Sequence, residues 1–270
     1  MIFRTFAPPQ TLQDYVLNYW VLEWDQLDKQ YIHRTTADCC SELLFHYKGS
    51  FDLLISDTQS EPCFTSGIGA PTQEFRRFVT DQSFGLFGVS LYPFAIPLLL
   101  ATSPVEIANQ IPDLHTLLGR PGAELEERMM LAASNSERCH LITDFLECRL
   151  LKTEEVEETI VTAVKYVTHL EQPESVQNLA DRFNFSRRQF ERKFKAYAGL
   201  TPKLYTRIVR FQRALDNYRN NTSRTLTEIA HDCGYYDQSH FIHDFKAFSG
   251  YHPKQYFTGN ATEATAYLDN

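Results

Sequence analysis

The sequence predicts an α+β chain in which a β-barrel or β-sandwich with trailing helices precedes an all-α domain. Three observations support this class. Segments rich in β-formers follow one another closely up to about residue 92, a phrase of about thirty residues occurs twice after residue 174, and the two parts carry opposite net charge. With 270 residues, 43% of them hydrophobic, the chain is long enough for two cores.

The N-terminal part reads as short strands separated by turns rich in Gly, Ser and Asp. Many short strands at close spacing favour a sandwich or barrel. The segment 12–24 is apolar and aromatic and fits either a strand or a short helix. The predicted strands cover residues 31–35, 42–47, 51–55, 63–68, 75–80 and 84–92.

Helical patterns replace the strands after Pro93. They predict helices over residues 105–110, 121–133, 136–151 and about 156–169, with a turn ending at Gly119. The stripe of Leu125, Met129 and Ala132 is a candidate surface for a homodimer. These boundaries divide the chain into a sensor and dimerisation domain over 1–151, an all-α domain over 153–260 and a C-terminal tail over 261–270.

The repeated phrase reads as helix, tight turn, helix in both copies. Asn184 and Gly234 occupy the turns, where a left-handed backbone is expected. Polar residues suited to cap helices surround each turn: Ser175, Ser186 with Gln189, Thr225 with Glu228, and Asp237. Residues 201–219 predict one helix that connects the two units, and nineteen helical residues extend about 28 Å.

Each second helix of the repeat leaves a polar face exposed once its apolar stripe is buried. The first copy offers Arg187, Arg188 and Arg192, and the second offers Gln238, Ser239, His240 and His243. Arg recognises guanine with two hydrogen bonds and Gln can recognise adenine, so both faces suit base edges and phosphates in a major groove. The alternative is a pair of solvated helix faces.

Charge is concentrated in the repeat region. The whole chain has a net charge of −8, yet residues 182–257 hold 14 Lys and Arg against 6 Asp and Glu, a net of +8. The remainder holds 12 against 28, a net of −16. A basic block in an acidic chain is the pattern expected where phosphates are bound. This indicates double-stranded DNA as a partner.

Several classes of protein are disfavoured. The best apolar run, residues 89–100, is too short to span a membrane and contains Pro93 and Pro97. No signal peptide is visible, and the six cysteines lack Cys-x-x-Cys spacing, so a reduced cytoplasmic protein is expected. A metal or redox role for Cys39, Cys40 and Cys63 is an alternative with little support, and no cofactor is predicted.

The segment 156–257 resembles the DNA-binding domain of the AraC/XylS family of bacterial transcription regulators. The resemblance is carried most closely by residues 237–256, Asp-Gln-Ser-His-Phe-Ile-His-Asp-Phe-Lys-Ala-Phe-Ser-Gly-Tyr-His-Pro-Lys-Gln-Tyr. It implies seven helices, an asymmetric promoter site and contact with RNA polymerase. It assigns DNA reading to the seven exposed residues named above. His243 departs from the family pattern, in which a long basic residue is often found.

The same resemblance implies a cupin-like β-barrel in the N-terminal part, followed by dimerising helices. Such a barrel can enclose a small effector. Candidate lining residues are Trp20, Trp24, His46, Tyr47, Phe87 and Tyr92, and the alternative is that each is simply part of the core. The competing function is a metal-dependent cupin enzyme fused to a DNA-binding anchor. It would need ligands that converge with His33 and His46, and neither a metal cluster nor a catalytic residue is predicted.

Overall fold

Two five-stranded sheets form the N-terminal part of the computed structural model, which describes residues 1–25, 30–151, 157–220, 224–258 and 263–265. The first sheet has the order β1-β2-β9-β4-β7 and the second the order β10-β3-β8-β5-β6. All pairings are antiparallel except that of β10 with β3. The strands are β1 (Ile2–Phe6), β2 (Val16–Trp24), β3 (Tyr31–Thr35), β4 (Ser41–Lys48), β5 (Asp52–Leu54), β6 (Ser60–Pro62), β7 (Ser66–Gly69), β8 (Arg76–Thr80), β9 (Phe84–Leu91) and β10 (Ala264–Thr265).

Side-chain alternation gives the first sheet two different faces. Trp20 on β2 is paired with Gly88 on β9, and His46 on β4 is paired with Leu86 on β9. These even-numbered positions face the second sheet. The odd-numbered neighbours point to the other side, where they join a core with the helices, because successive strand residues face opposite ways.

Four helices follow the strands: α1 (Ala95–Leu100), α2 (Leu114–Leu118), α3 (Arg120–Leu131) and α4 (Asn135–Leu150). The apolar stripe of Leu125 and Met129 is buried in the same core as the odd-numbered strand residues. Ala132 is buried as well. The stripe therefore does not supply the dimerisation surface that the sequence suggested, because the chain covers it with its own sheet.

The C-terminal part is all-α, as expected. Its helices are α5 (Glu158–Thr168), α6 (Val176–Arg182), α7 (Arg187–Ala198), α8 (Pro202–Asn220), α9 (Leu226–Asp232), α10 (Gln238–Ser249) and α11 (Pro253–Phe257). The two helix-turn-helix units are α6–α7 and α9–α10, and α8 is the connecting helix. The fold class predicted from the sequence is confirmed.

One apolar core crosses between the two parts. Tyr92 and Phe94, which follow β9, and Ala37 and Cys39, which follow β3, belong to the same buried cluster as the helices of the C-terminal part. The chain also returns to the β-rich part at its end, since β10 adds to the edge of β3. The segment 261–270 is thus not simply a tail. Of its residues the structure describes 263–265.

Three local predictions were wrong. The segment 63–68 is not one strand: β6 and β7 lie in different sheets, and the residues between them carry the chain across. The segment 105–110 forms turns, interrupted by Asn109 with a φ of 59°. The helix α1 was not predicted because it contains Pro97, which is tolerated in a first turn where its missing N–H has no helical acceptor. No helix among the described residues is long and apolar enough to cross a bilayer.

Candidate functional site

The second helix of each helix-turn-helix unit, α7 and α10, is the one that the sequence predicts to read DNA, and these two are called the first and second reading helices. The first of them, α7, presents an open basic face. Ser186 caps it, and a capping box with Gln189 satisfies two backbone donors of its first turn. Arg187, Arg188 and Arg192 are all exposed. Arg187 is 3.0 Å from Glu191, whereas Arg188 and Arg192 have no ion pair or hydrogen bond among the described residues. Two guanidinium groups are thus available to an outside partner.

The turns that orient both reading helices have the backbone expected from the sequence. Asn184 has a φ of 57° and Gly234 a φ of 73°. A side chain at Gly234 would also collide with Pro173, so the tight turn against the preceding loop requires glycine. The caps predicted at Ser175, Thr225 and Asp237 are confirmed, and each accepts a backbone hydrogen bond from the first turn of its helix.

The second reading helix, α10, has a more crowded outer face. Gln238, Ser239 and His243 are exposed, and His240 is half-buried. His240 Nε2 lies 3.3 Å from Arg210 Nη2 and 3.8 Å from Asp244 Oδ2. His243 Nδ1 lies 3.6 Å from Asp244 Oδ1. Both histidines therefore border one carboxylate.

That carboxylate, Asp244, is the centre of a charge network between α10 and the connector α8. Its side chain is only 1% exposed, and it accepts hydrogen bonds from Arg207 Nη2 at 2.6 Å and Arg210 Nη2 at 3.1 Å. Burial alone would raise the pKa of Asp244, but the hydrogen bonds and charges of the two arginines hold the pKa below its ordinary value. The ionised network ties the second reading helix to α8.

Tyr236 is a surface residue that the sequence analysis missed. It is 94% exposed and immediately precedes the cap of α10, while its neighbour Tyr235 is buried. An aromatic side chain at the entrance of a reading helix can contact a sugar or a base edge. The signal in the sequence was the Tyr235-Tyr236 pair in the turn, of which only one ring can join the core.

A cavity of about 180 Å³ lies between the two sheets and reaches the C-terminal part. The sheets contribute mainly apolar and aromatic side chains, and α8 and α11 contribute Gln212, Leu215, Arg219 and Tyr256. The aromatic side of the cavity includes Trp20, Tyr31, Phe51, Phe64 and Phe78. The cavity is thus lined by both parts of the chain.

The structure places two of the six candidate lining residues, Trp20 and His46, at the cavity. The other four lie outside it. Phe87 faces the helical core on the opposite side of the sheet, and the ring of Tyr47 lies under the Arg138 guanidinium of α4. Trp24 packs against Tyr31 and Phe84 beyond the cavity, and Tyr92 stacks on Phe94 in the core that joins the two parts.

Two side chains that line the cavity each carry a polar atom that is buried and has no hydrogen-bond partner among the described residues: Trp20 Nε1 and His46 Nδ1. Trp20 is 7% exposed and His46 8%. Gly88 makes this arrangement possible, because a Cβ there would overlap the indole of Trp20. Burial lowers the pKa of His46 to about 4, so its imidazole is neutral near pH 7.

The wall between the cavity and the C-terminal part is the segment 34–38, which comprises the end of β3 and the residues that follow it. Arg34 lies between the rings of Phe75 and Tyr251 and donates to the Ser249 carbonyl at the end of α10, at 3.2 Å. Ala37 N donates to the Phe248 carbonyl at 2.9 Å, and Gln212 donates to the Ala37 carbonyl. Thr35, Thr36 and Asp38 of this segment also line the cavity. One face of the segment thus meets the cavity and the other meets α10.

The residues considered for metal binding do not converge. His33 donates to or accepts from Tyr31 Oη at 3.2 Å, and Cys39 is buried against α8. Among the described residues, no group of three or more His, Cys, Asp or Glu is placed to hold a metal ion.

Two family models match the chain. Residues 179–259 match a helix-turn-helix domain, and residues 4–113 match a domain of unknown function, DUF6597. The first match covers both helix-turn-helix units from Leu179 onwards, and the second covers the strands from β2 to β9.

Two curated relatives each match about a third of the chain or less. The transcriptional activator RhaS of Escherichia fergusonii is 33% identical over 87 residues, which are 32% of this chain and 31% of that protein. RhaS of Pectobacterium carotovorum is 38% identical over 73 residues, 27% of this chain and 26% of that protein. The chain therefore matches less than a third of the length of these relatives. A solved AraC-type regulator from Chromobacterium violaceum is 28% identical, with 40% of this chain and 96% of that chain covered and a TM-score of 0.35.

Proposed function

We propose, for a chain whose C-terminal domain belongs to the AraC/XylS family, that the whole protein is a transcription regulator that reads two successive major grooves of double-stranded DNA. The observation that carries this proposal is the pair of capped reading helices, α7 and α10, joined by α8. At 19 residues, α8 is about 28 Å long, close to the ~34 Å repeat of DNA. A single chain can therefore bring both helices to one side of a duplex.

The seven polar residues predicted on the two reading helices divide into two roles. Arg187, Arg188 and Arg192 on α7 supply positive charge for phosphates and guanine. Gln238, Ser239, His240 and His243 on α10 supply hydrogen bonds to base edges. We add Tyr236 to the second set because of its exposure beside the cap of α10.

The further partners follow from this role. A regulator of transcription acts at a promoter in the bacterial cytoplasm, so RNA polymerase is the second macromolecular partner that we propose. A homodimer is a third. The candidate contact residue for a homodimer is Leu131 at the end of α3, which is 77% exposed. The apolar stripe beside it is buried and does not serve. Sedimentation of the parent chain and of Leu131→Glu tests this association.

Modulation by a small effector is the last part of the proposal. The cavity reaches from the two sheets to α8, and its wall carries the backbone hydrogen bond from Ala37 to the end of α10. An occupant that shifts residues 34–38 would shift the second reading helix as well. In this scheme the first reading helix keeps its position, because the hydrogen bonds that residues 34–38 make to the helices of the C-terminal part go to α8 and α10.

The experiment is site selection from random duplex DNA with the full chain, followed by hydroxyl-radical footprinting on the selected site. We expect two protected segments about one helical turn apart in an asymmetric site. Arg188→Ala/Arg192→Ala should weaken one segment and Gln238→Ala/Ser239→Ala the other. Arg120→Ala, an exposed arginine on α3, is the matched control and should leave both segments unchanged. One protected segment, or loss of the same segment in both variants, would contradict the two-reader model.

A further inference from the structure

The volume of the cavity limits the size of its occupant. An apolar cavity of about 150 Å³ is known to hold one benzene molecule. The cavity between the two sheets, at about 180 Å³, therefore has room for one aromatic ring with a short substituent. The rings of Phe51 and Phe64 each lie 5.5 Å from the His46 ring, edge to face, and they offer the same geometry to an aromatic guest.

The buried nitrogens define what the occupant must offer. An indole N–H is a donor only, so Trp20 Nε1 needs an acceptor, and His46 Nδ1 can act as donor or acceptor depending on its tautomer. A buried polar group without a partner costs free energy, which a ligand oxygen would recover. A hydrocarbon guest would leave both nitrogens unsatisfied.

The charged groups at the cavity disfavour an anion. Burial lowers the pKa of both His33 and His46 to about 4, so neither imidazole supplies positive charge near pH 7. Arg34 is 2.6 Å from Glu263, and Arg219 is 3.3 Å from Asp216. Arg76 donates to the Asn109 carbonyl. Glu42 lines the same cavity and would repel a carboxylate, and Asp38 lines it too, with a pKa that burial raises.

We propose that this cavity binds an uncharged, single-ring aromatic molecule whose oxygen accepts a hydrogen bond from Trp20 Nε1. The chemical class is that of aromatic alcohols, aldehydes and amides. The inference rests on the effector site proposed above and names the ligand class of that site.

The test uses the indole N–H signals of the full chain in nitrogen-15 NMR spectra. The chain has two tryptophans, and Trp24 lies outside the cavity, so its signal is an internal control. Trp24→Phe assigns the remaining signal to Trp20. The probes at pH 7.5 are benzyl alcohol, toluene as the ring without oxygen, and benzoate as the anion.

We expect benzyl alcohol to move the Trp20 signal and not the Trp24 signal. It should bind about five-fold more tightly than toluene, the ratio that corresponds to one hydrogen bond of about 1 kcal/mol. Benzoate should bind at least ten-fold more weakly than benzyl alcohol. In Trp20→Phe, which keeps a ring and loses the donor, benzyl alcohol and toluene should bind equally.

The parent chain alone can overturn the proposal. A Trp20 signal that stays in place with millimolar benzyl alcohol would mean that the cavity holds water only. Benzoate binding as tightly as the alcohol would mean an anion site, and equal affinity for alcohol and toluene would remove the hydrogen bond. Footprinting distinguishes these failures from failure of the proposed function. If the chain protects two DNA segments but binds none of the probes, the ligand class is refuted and the DNA-binding model stands.

Discussion

The two helix-turn-helix units share a scaffold and differ on their outer faces. Both have a capping box at one helix start, a left-handed residue in the turn and a glycine after the reading helix. On α7, Arg188 and Arg192 are exposed and unpaired among the described residues, whereas on α10 the two histidines border Asp244 and its arginines. The end of α10 is also bonded to Ala37. The first unit therefore offers more unpaired positive charge, and the second is held by more contacts with the rest of the chain.

The largest expected effect concerns the network that only the second unit has. Asp244→Ala leaves Arg207 and Arg210 without their buried carboxylate, so the free energy of unfolding should fall by about 3 kcal/mol. Urea denaturation measures it. The control is Asp216→Ala on α8, an exposed carboxylate 3.3 Å from Arg219, for which we expect a change within about 0.5 kcal/mol. Equal losses in the two variants would remove the special role of the network.

The effect of Asp244 should depend on pH in a defined direction. Its pKa in the folded chain lies below its ordinary value of 3.8. The stabilisation is therefore fully present above pH 3.8 and is lost as the pH falls through the lower, folded pKa. The parent chain and Asp244→Ala are denatured at pH 7 and at progressively lower pH. The difference between their free energies of unfolding should disappear only at acidic pH. A difference that disappears between pH 7 and pH 5 would contradict this assignment.

The next prediction tests the difference in charge between the outer faces of α7 and α10. Arg188→Ala should weaken DNA binding by about 2 kcal/mol and relax base preference in one half of the site. Arg188→Ala/Arg192→Ala should reduce the slope of log K against log salt concentration by about 2, because two phosphate contacts are lost. Gln238→Ala/Ser239→Ala should leave that slope unchanged. Competition binding at several salt concentrations, with Arg120→Ala as control, makes the comparison. A slope that falls equally in both double variants would contradict the division of roles.

The smallest expected effect tests what the units share. Ser186→Ala and Thr225→Ala each remove the side-chain acceptor of a capping box, and each should cost about 1 kcal/mol of stability. The control is Ser136→Ala, an exposed serine in the first turn of α4 with no hydrogen bond among the described residues. Thermal unfolding resolves differences of this size. A cost at only one of the two caps would show that the scaffolds are not equivalent.

The sequence predicted the C-terminal part well because its signals are local. A cap, a turn residue and an apolar stripe lie within a few residues of one another, so Ser186, Asn184 and Phe190 could be assigned without knowing the fold. The cavity is a non-local site. His46 and Trp20 meet there through the pairing of β2, β9 and β4, and Gln212 comes from a helix far along the chain.

The alternation of side chains along a strand could have improved the prediction of the lining residues, because even-numbered and odd-numbered positions face opposite sides of the sheet. Trp20 and His46 occupy even-numbered positions on one face of the first sheet, and Phe87 an odd-numbered position on the other. Alternation within a strand does not predict which strands pair, and the pairing decides which face of β4 lies on the same side as a given face of β9. Tyr92 lies beyond β9, so strand alternation gave no information on its direction.

The chain end gives the molecule a mechanical property. The all-α domain is joined to the β-rich part by the polypeptide after α4 and, at its other end, by β10, where Ala264 pairs with His33 and Glu263 lies 2.6 Å from Arg34. This second crossing of the chain adds to the shared apolar core and to the hydrogen bonds of residues 34–38, and together they resist rotation of the reading helices relative to the sheets. Detachment of the short terminal strand would leave the core and those hydrogen bonds as the mechanical coupling between the two parts.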